Sequence, residues 1–304
     1  MLVHRLATGL TLICGALALL LIDEIWLAPW YPLWLLACLS FAGLAANEMI
    51  GLLAATSAKP SAIAVHGGTL AIIVANWVPH LEYALRAESP ASITHLVRTS
   101  GPVESLGWPF LVYIGVVMVA FVLQAVQYER PGQVVSILAG TCLVLTYVGL
   151  LASFMIQLRW VDGRFHGLFA LLSFISCAKG ADTGAYTVGR IAGRHKLWPR
   201  LSPKKTVEGA IGGLVFSIGF AILVKCIALY FDEVTLGWAG TVVFGLVIGV
   251  IAQLGDLMES MIKRDCERKD ASQALPGFGG ILDVLDSLLF AAPVALGFWL
   301  LLSP

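Results

Sequence analysis

Residues 255–286 read GDLMESMIKRDCERKDASQALPGFGGILDVLD, a run of acids, lysines and arginines set between two apolar stretches at 238–262 and 281–302. Each stretch is long enough to cross a bilayer, where about 20 apolar residues in a helix span ~30 Å of hydrocarbon. The same pattern, long apolar runs joined by short polar ones, continues through the rest of the chain. Of its 304 residues, 59% are apolar by type and 12% are charged, with a mean hydropathy of +0.88. A soluble domain of this length has too few charges to cover so much apolar surface, whereas lipid solvates apolar helices directly. The chain therefore reads as an all-α polytopic membrane protein.

Nine segments are long and apolar enough to span: 6–28, 33–55, 61–78, 108–128, 133–157, 166–190, 209–230, 238–262 and 281–302. We expect about nine transmembrane helices with a cytoplasmic N-terminus. That orientation puts Arg5, Lys59, Arg130 and the basic loops 190–205 and 263–270 inside, with Arg86, Arg98, Arg159 and Arg164 outside, as the positive-inside rule asks. His4-Arg5 ahead of an apolar run resembles a signal-peptide start, but no small-residue cleavage site follows, so the first segment is expected to stay as a helix. The polar segment 80–107 falls on the outer side. The six cysteines lack CxxC spacing and read as small core residues. A net charge of zero gives no reason to expect a nucleic-acid partner.

Within the opening stretch, Asp256, Glu259, Ser260 and Lys263 recur at i, i+3, i+4 and i+7, so all lie on one helical face. A carboxylate at the centre of a membrane helix costs about 2.5–3.5 kcal/mol on insertion scales, so this face needs a cation, a lysine or the water interface. A salt-bridged helix end satisfies the same spacing. The next apolar run opens with Asp283 and Asp286 at i, i+3, directly after Pro276-Gly277-Phe278-Gly279-Gly280. One acid there is explained by the helix macrodipole. Two of them facing Asp256 across a short loop make a hard-cation site, since Mg²⁺ prefers a few carboxylates plus phosphate oxygens. The glycines let backbone approach an anion closely.

A second cluster, KGADTGAYTVGRIAGRHKLWPRLSPKKTVEGAIGG, spans Lys179 to Gly213. Asp182, Tyr186, Gly189, Arg190 and Gly193 follow helical spacing, which predicts a polar helix packed tightly through small residues. Ser202 or Thr206 is placed to cap the helix that starts at Val207, with Lys204 and Lys205 beside its positive end. Two lysines, a helix N-terminus and nearby Arg194 and Arg200 suit a polyphosphate. A basic loop contacting anionic lipid is the plainer account of the same charges. Glu48, next to Asn47 in the second segment, and Lys225 in the seventh are further polar residues within apolar runs.

Together the two clusters resemble the phosphatidate cytidylyltransferases, or CDP-diacylglycerol synthases. That family's signature has the form S-x-x-K-R, four residues, K-D, then P-G-H-G-G-x-x-D-R-x-D. Ser260, Lys263, Arg264, Lys269, Asp270, Pro276, Gly277, Gly279, Gly280, Asp283 and Asp286 fall on it in register. The upstream ADTGAY and SPKKT-x-EG stretches look like the family's as well. The close resemblance covers roughly the last 125 residues; Phe278 stands where the family has His, and Val284 where it has Arg.

The resemblance implies cytidylyl transfer from CTP to phosphatidate, giving CDP-diacylglycerol and pyrophosphate, by a multi-pass enzyme of the inner membrane whose active site faces the cytoplasm. It implies Lys263, Arg264, Ser260, Lys269 and Asp270 as catalytic residues. Asp182, Ser202, Lys204, Lys205, Thr206 and Glu208 are then the CTP-binding set, and Asp256, Asp283 and Asp286 hold Mg²⁺, with a second cation left open. It also implies a homodimer, phosphatidate drawn from the leaflet, and a division into N-terminal membrane helices (1–165, about five spans) and C-terminal catalytic helices with cytoplasmic loops (166–304). Two competitors remain: another CTP-using lipid enzyme, such as a polyprenol kinase, and a cation-coupled transporter.

Overall fold

The computed structural model describes residues 2–28, 30–81, 102–129, 131–161, 166–233, 236–272, 274 and 279–302. Most of the polar segment 80–107, at 82–101, and the turn residues Pro276, Gly277 and Phe278 lie outside the described residues. The chain runs as α1 (Leu2–Trp26), α2 (Pro32–Leu53), α3 (Ala62–Ala75), α4 (Pro102–Val126) and α5 (Val134–Val144). A π-helical turn (Leu145–Leu150) leads from α5 into α6 (Leu151–Gln157) and a 3₁₀ turn (Leu158–Trp160). Then follow α7 (His166–Ala192), α8 (Val207–Tyr230), α9 (Trp238–Asp265) and α10 (Leu282–Leu302).

Each apolar segment of the sequence falls on helix, and among the described residues six are long and apolar enough to cross a membrane: Pro32–Leu53, Ser105–Val126, Val134–Trp160, Val207–Tyr230, Trp238–Asp265 and Leu282–Leu301. The chain is thus a helical, multi-pass membrane protein. Of the three expected segments not among these six, two differ for identifiable reasons. α3 has only 14 residues, about 21 Å at the helical rise, short of a ~30 Å core. α7 is long enough at 27 residues but contains Lys179, Asp182 and Arg190. Among the described residues, a small antiparallel hairpin stands out from the helices, β1 (Lys196–Trp198) with β2 (Ser202–Thr206), pairing Lys196 with Thr206 and Trp198 with Ser202.

The chain divides into two units, one made of Met1–Ile156 with Asp270–Val284 and the other of Gln157–Lys269 with Leu285–Pro304. In the first, α2, α3, α4 and the π turn pack through Ala45, Ala46, Met49, Val65, Ile72, Ile73 and Leu145, all fully buried. Polar links cross the packing: Asn76 Nδ2 donates to Ser153 Oγ (3.0 Å) and Trp77 Nε1 to the Trp30 carbonyl (2.7 Å). Measured bonds of this type in membrane helices average about 0.6 kcal/mol, so side-chain packing rather than the polar links holds the unit. The start of α2 shows how a buried helix end is satisfied. Pro32 has no N–H to lose, and buried Asp23 accepts from the next two donors, Leu33 (3.1 Å) and Trp34 (2.6 Å).

The second unit is built on α7, α8 and α9, with α7 and α8 in the most extensive contact. Glycine makes that contact possible: a Cβ on Gly209 or Gly213 of α8 would stand 2.7 or 2.8 Å from the carbonyl oxygens of Ala185 or Ala181 on α7. Ser217 Oγ donates to the Gly245 carbonyl (2.7 Å), tying α8 to α9. Lys225 is buried; its Nζ donates to the Leu236 carbonyl and lies 5.1 Å over the Trp238 ring, so this charge braces the α8–α9 turn. Arg159, expected in an outer loop, is only 2% exposed within the 3₁₀ turn.

Candidate functional site

On α9 the predicted polar face forms, with Asp256, Glu259 and Lys263 one turn apart. The first turns of α10 come against it because residue 255 is glycine. A Cβ there would sit 2.8 Å from the Asp286 carbonyl oxygen and from Phe290 Cβ. The close approach brings carboxylate oxygens of Asp256, Glu259 and Asp286 within 4.8 Å of one another. Glu259 is fully buried and Asp286 is 4% exposed, while the Asp256 side chain keeps 33% of its surface. Two unit charges at that separation repel by about 3 kcal/mol at an effective dielectric of ~20. A cation among them reverses the sign, and three hard oxygen donors suit a dication such as Mg²⁺.

Lysines from three elements surround the acids. Lys205 of β2 pairs with Asp256 at 2.7 Å, and Lys263 pairs with Glu259 at 2.5 Å. From α7, Lys179 Nζ donates to Ser287 Oγ (2.7 Å) and Asp182 Oδ2 (2.9 Å), and Ser287 Oγ donates to the same Asp182 oxygen (3.1 Å). The unit's polar interior therefore joins α7, α9, α10 and the hairpin.

The hairpin is where the basic segment becomes ordered. Thr206 ends β2 and caps α8, its Oγ1 accepting from Gly209 N–H (3.1 Å), which decides between the two capping candidates. The side chain of Lys204 is exposed, while that of Lys205 turns in toward Asp256. Ser202 is half-buried at the start of β2. Glu208 accepts from the N–H groups of Arg194 (3.0 Å) and His195 (3.2 Å) and pairs with His195 Nδ1 (2.6 Å), fixing the turn before β1.

Other expected site residues are more scattered. Ser260 is half-buried on α9, and Arg264, Lys269 and Asp270 are exposed. Asp283, in the first turn of α10, accepts through Oδ2 from Gly280 N–H (2.6 Å) and Ala271 N–H (3.1 Å). Val284 is half-buried, and Phe278 is outside the described residues. Helical spacing puts Glu259 on the polar face, but the family signature leaves it out of the cation set and gives no role to Lys179 or Ser287. The signals were present: Glu259 is one turn from Asp256 and Lys179 one turn from Asp182.

These features define a multi-pass membrane protein with an acid- and lysine-lined polar interior. Comparison with known proteins makes the class specific. The profile of the Cytidylyltransferase family matches residues 3–302, and the chain belongs to that family. It is 40% identical over 157 residues to a phosphatidate cytidylyltransferase of Staphylococcus haemolyticus (strain JCSC1435), covering 51% of this chain and 57% of that protein. With the phosphatidate cytidylyltransferase of Bacillus subtilis (strain 168) it shares 38% identity over 151 residues, 50% of this chain and 54% of the relative. The matched stretch thus spans little more than half the length of these relatives.

Proposed function

We propose that the protein transfers a cytidylyl group from CTP to phosphatidate, releasing pyrophosphate and forming CDP-diacylglycerol. The observation that supports this most directly is the meeting of Asp256, Glu259 and Asp286 beside Lys205 and Lys263. The family and the names of its relatives point the same way. In the reaction a phosphate oxygen of phosphatidate bonds to the α-phosphorus of CTP, and the bond from that phosphorus to the β-bridging oxygen breaks. A phosphomonoester is largely dianionic at neutral pH, its second pKa being about 6, so attack needs no strong base. The barrier lies in bringing two anions together.

Asp256 and Asp286, with Glu259 beside them and Asp283 added by the family signature, would hold Mg²⁺. Bound there, the ion would offset charge on the α-phosphoryl group and the leaving pyrophosphate. The chain's own residues do the remaining work. Lys204 and Lys205 on the hairpin bind the polyphosphate, and Lys205, already paired with an acid of the site, exchanges that partner for phosphate oxygen. Lys263, Arg264 and Lys179 supply positive charge as it is needed along the reaction. Thr206 and Glu208 hold the hairpin and the start of α8 in place, and Asp182 orients Lys179. Ser202, Ser260, Lys269 and Asp270 stay in the proposed set on the strength of the family pattern.

The finer topology belongs to the same proposal: about nine spans, the N-terminus and active site in the cytoplasm, residues 166–304 as the catalytic part, and a homodimer in the inner membrane. CTP then enters from water and phosphatidate from the leaflet. Incubating purified protein with α-labelled CTP, Mg²⁺ and a panel of lipid phosphates tests the reading. CDP-diacylglycerol with pyrophosphate, abolished by chelation, is the expected result. Lipid phosphate with CDP would mean a kinase, and substrate flux across vesicles without CTP consumption would mean a transporter; either overturns it.

A further inference from the structure

Glu48 lies in α2, and the proposed chemistry does not use it. Its side chain is buried, and its carboxylate gathers donors from more than two hundred residues away. Oε1 accepts from Ile281 N–H (3.0 Å) and Ser272 Oγ (2.6 Å), and Oε2 accepts from Leu282 N–H (2.8 Å). These are the first backbone donors of α10, which lack partners inside the helix. The residue in the capping position is Ile281, whose side chain has no acceptor. A Cβ on Gly280 would overlap the Glu48 carboxylate, so glycine there makes room for it. Gly279 takes a positive φ of 95° that turns the chain into the cradle. At Gly280, the close approach to an anion that the glycine pattern suggests is met by carboxylates of the protein itself.

Asp283 completes the arrangement by taking Gly280 N–H and Ala271 N–H. Among the described residues of the signature loop, Glu48 accepts from Ser272, Ile281 and Leu282 and Asp283 from Ala271 and Gly280, while Ala274 N–H donates to Ser272 Oγ (3.1 Å). We infer that Glu48 is a positioning residue: it ties Ser272 and the Ile281–Leu282 start of α10 to α2 and so sets where Asp283, a member of the proposed cation set, stands. The inference rests on the proposed cytidylyl transfer for its consequence, but the clamp itself can be measured without that reaction.

The experiment uses the full-length protein in detergent and compares wild type with Glu48→Gln, Ser272→Ala and the neighbouring exposed-residue control Asn47→Ala. Hydrogen–deuterium exchange should show faster uptake at 270–284 in Glu48→Gln, a smaller rise in Ser272→Ala and none in Asn47→Ala, with the β1–β2 hairpin unchanged in all. Mn²⁺ binding followed by electron paramagnetic resonance should weaken roughly 10- to 100-fold in Glu48→Gln, the range for residues that orient metal ligands. The Mg²⁺ concentration that half-saturates turnover should rise in the same proportion, with the KM for CTP at saturating Mg²⁺ near the wild-type value. If Glu48→Gln does not fold, Ser272→Ala reads the same quantities.

Unchanged exchange at 270–284 would overturn the clamp. Faster exchange with wild-type Mn²⁺ affinity would overturn the positioning role. A wild-type protein that forms no CDP-lipid, yet shows the exchange and Mn²⁺ changes, would instead count against the proposed reaction.

Discussion

Two groups of acids sit in the helices of this protein and are stabilised in opposite ways. Glu48 and Asp283 face backbone N–H groups and a hydroxyl, whereas Asp256, Glu259 and Asp286 face one another and a set of lysines. Backbone donors cannot move away, so the first group is fixed and holds a loop in shape. Lysines on long stems can exchange partners, so the second group can rearrange, as the proposed cation and phosphate would require. Burial alone does not separate them, since both contain nearly inaccessible carboxylates; the chemistry of the partners does.

The largest expected effect breaks the comparison if it fails. Asp256→Asn should lower CDP-lipid formation by at least roughly 10²- to 10³-fold, the scale for losing one preorganised charge contact, while exchange at 270–284 stays at the wild-type rate. Near-normal turnover would remove Asp256 from the chemistry. Gly255→Val tests how the acids are brought together. A side chain against the Asp286 carbonyl should cost about 1–3 kcal/mol by overpacking, seen as a lower temperature of half-inactivation in detergent together with weaker Mn²⁺ binding. A variant as stable as wild type would show that α9 and α10 need not approach so closely.

Smaller effects sharpen the distinction. Lys204→Ala, on the exposed side of β2, should raise the CTP concentration for half-maximal rate by about tenfold, the value of one charge-assisted hydrogen bond, without reordering lipid preference. A change in lipid preference alone would move Lys204 away from the nucleotide. Thr206→Ala should cost about 1 kcal/mol by uncapping α8 and should reduce stability more than the KM for CTP. The reverse pattern would make Thr206 a substrate contact rather than a support.

The parts of this molecule that follow short-range rules were legible from residues alone. Composition predicted membrane helices, i, i+3 spacing predicted the face bearing Asp256 and Glu259, and the position of Thr206 ahead of Val207-Glu208-Gly209 predicted a cap. Parts that depend on distant partners were not. Nothing near Glu48 in sequence marks it as the cap of α10, because its donors are 224 to 234 positions away. The hairpin is hard to see in the residues because three- and five-residue strands containing Pro203 and two lysines show little β pattern. The end of α3 at Ala75 is not legible either, because apolarity marks a segment as buried without telling where the helix stops.

The contact between Glu48 and α10 also bears on how the chain is made. Synthesis proceeds from the N-terminus at about 5–20 residues per second. The 233 positions separating Glu48 from Ile281 therefore correspond to a delay on the order of 10–50 s between translation of the acceptor and of its donors. During that interval α2 is an apolar helix with an acid near its end and no α10 to receive it. Insertion into the bilayer and completion of the fold are then separate events for this helix, and its partners on α10 arrive only after the intervening helices have been made.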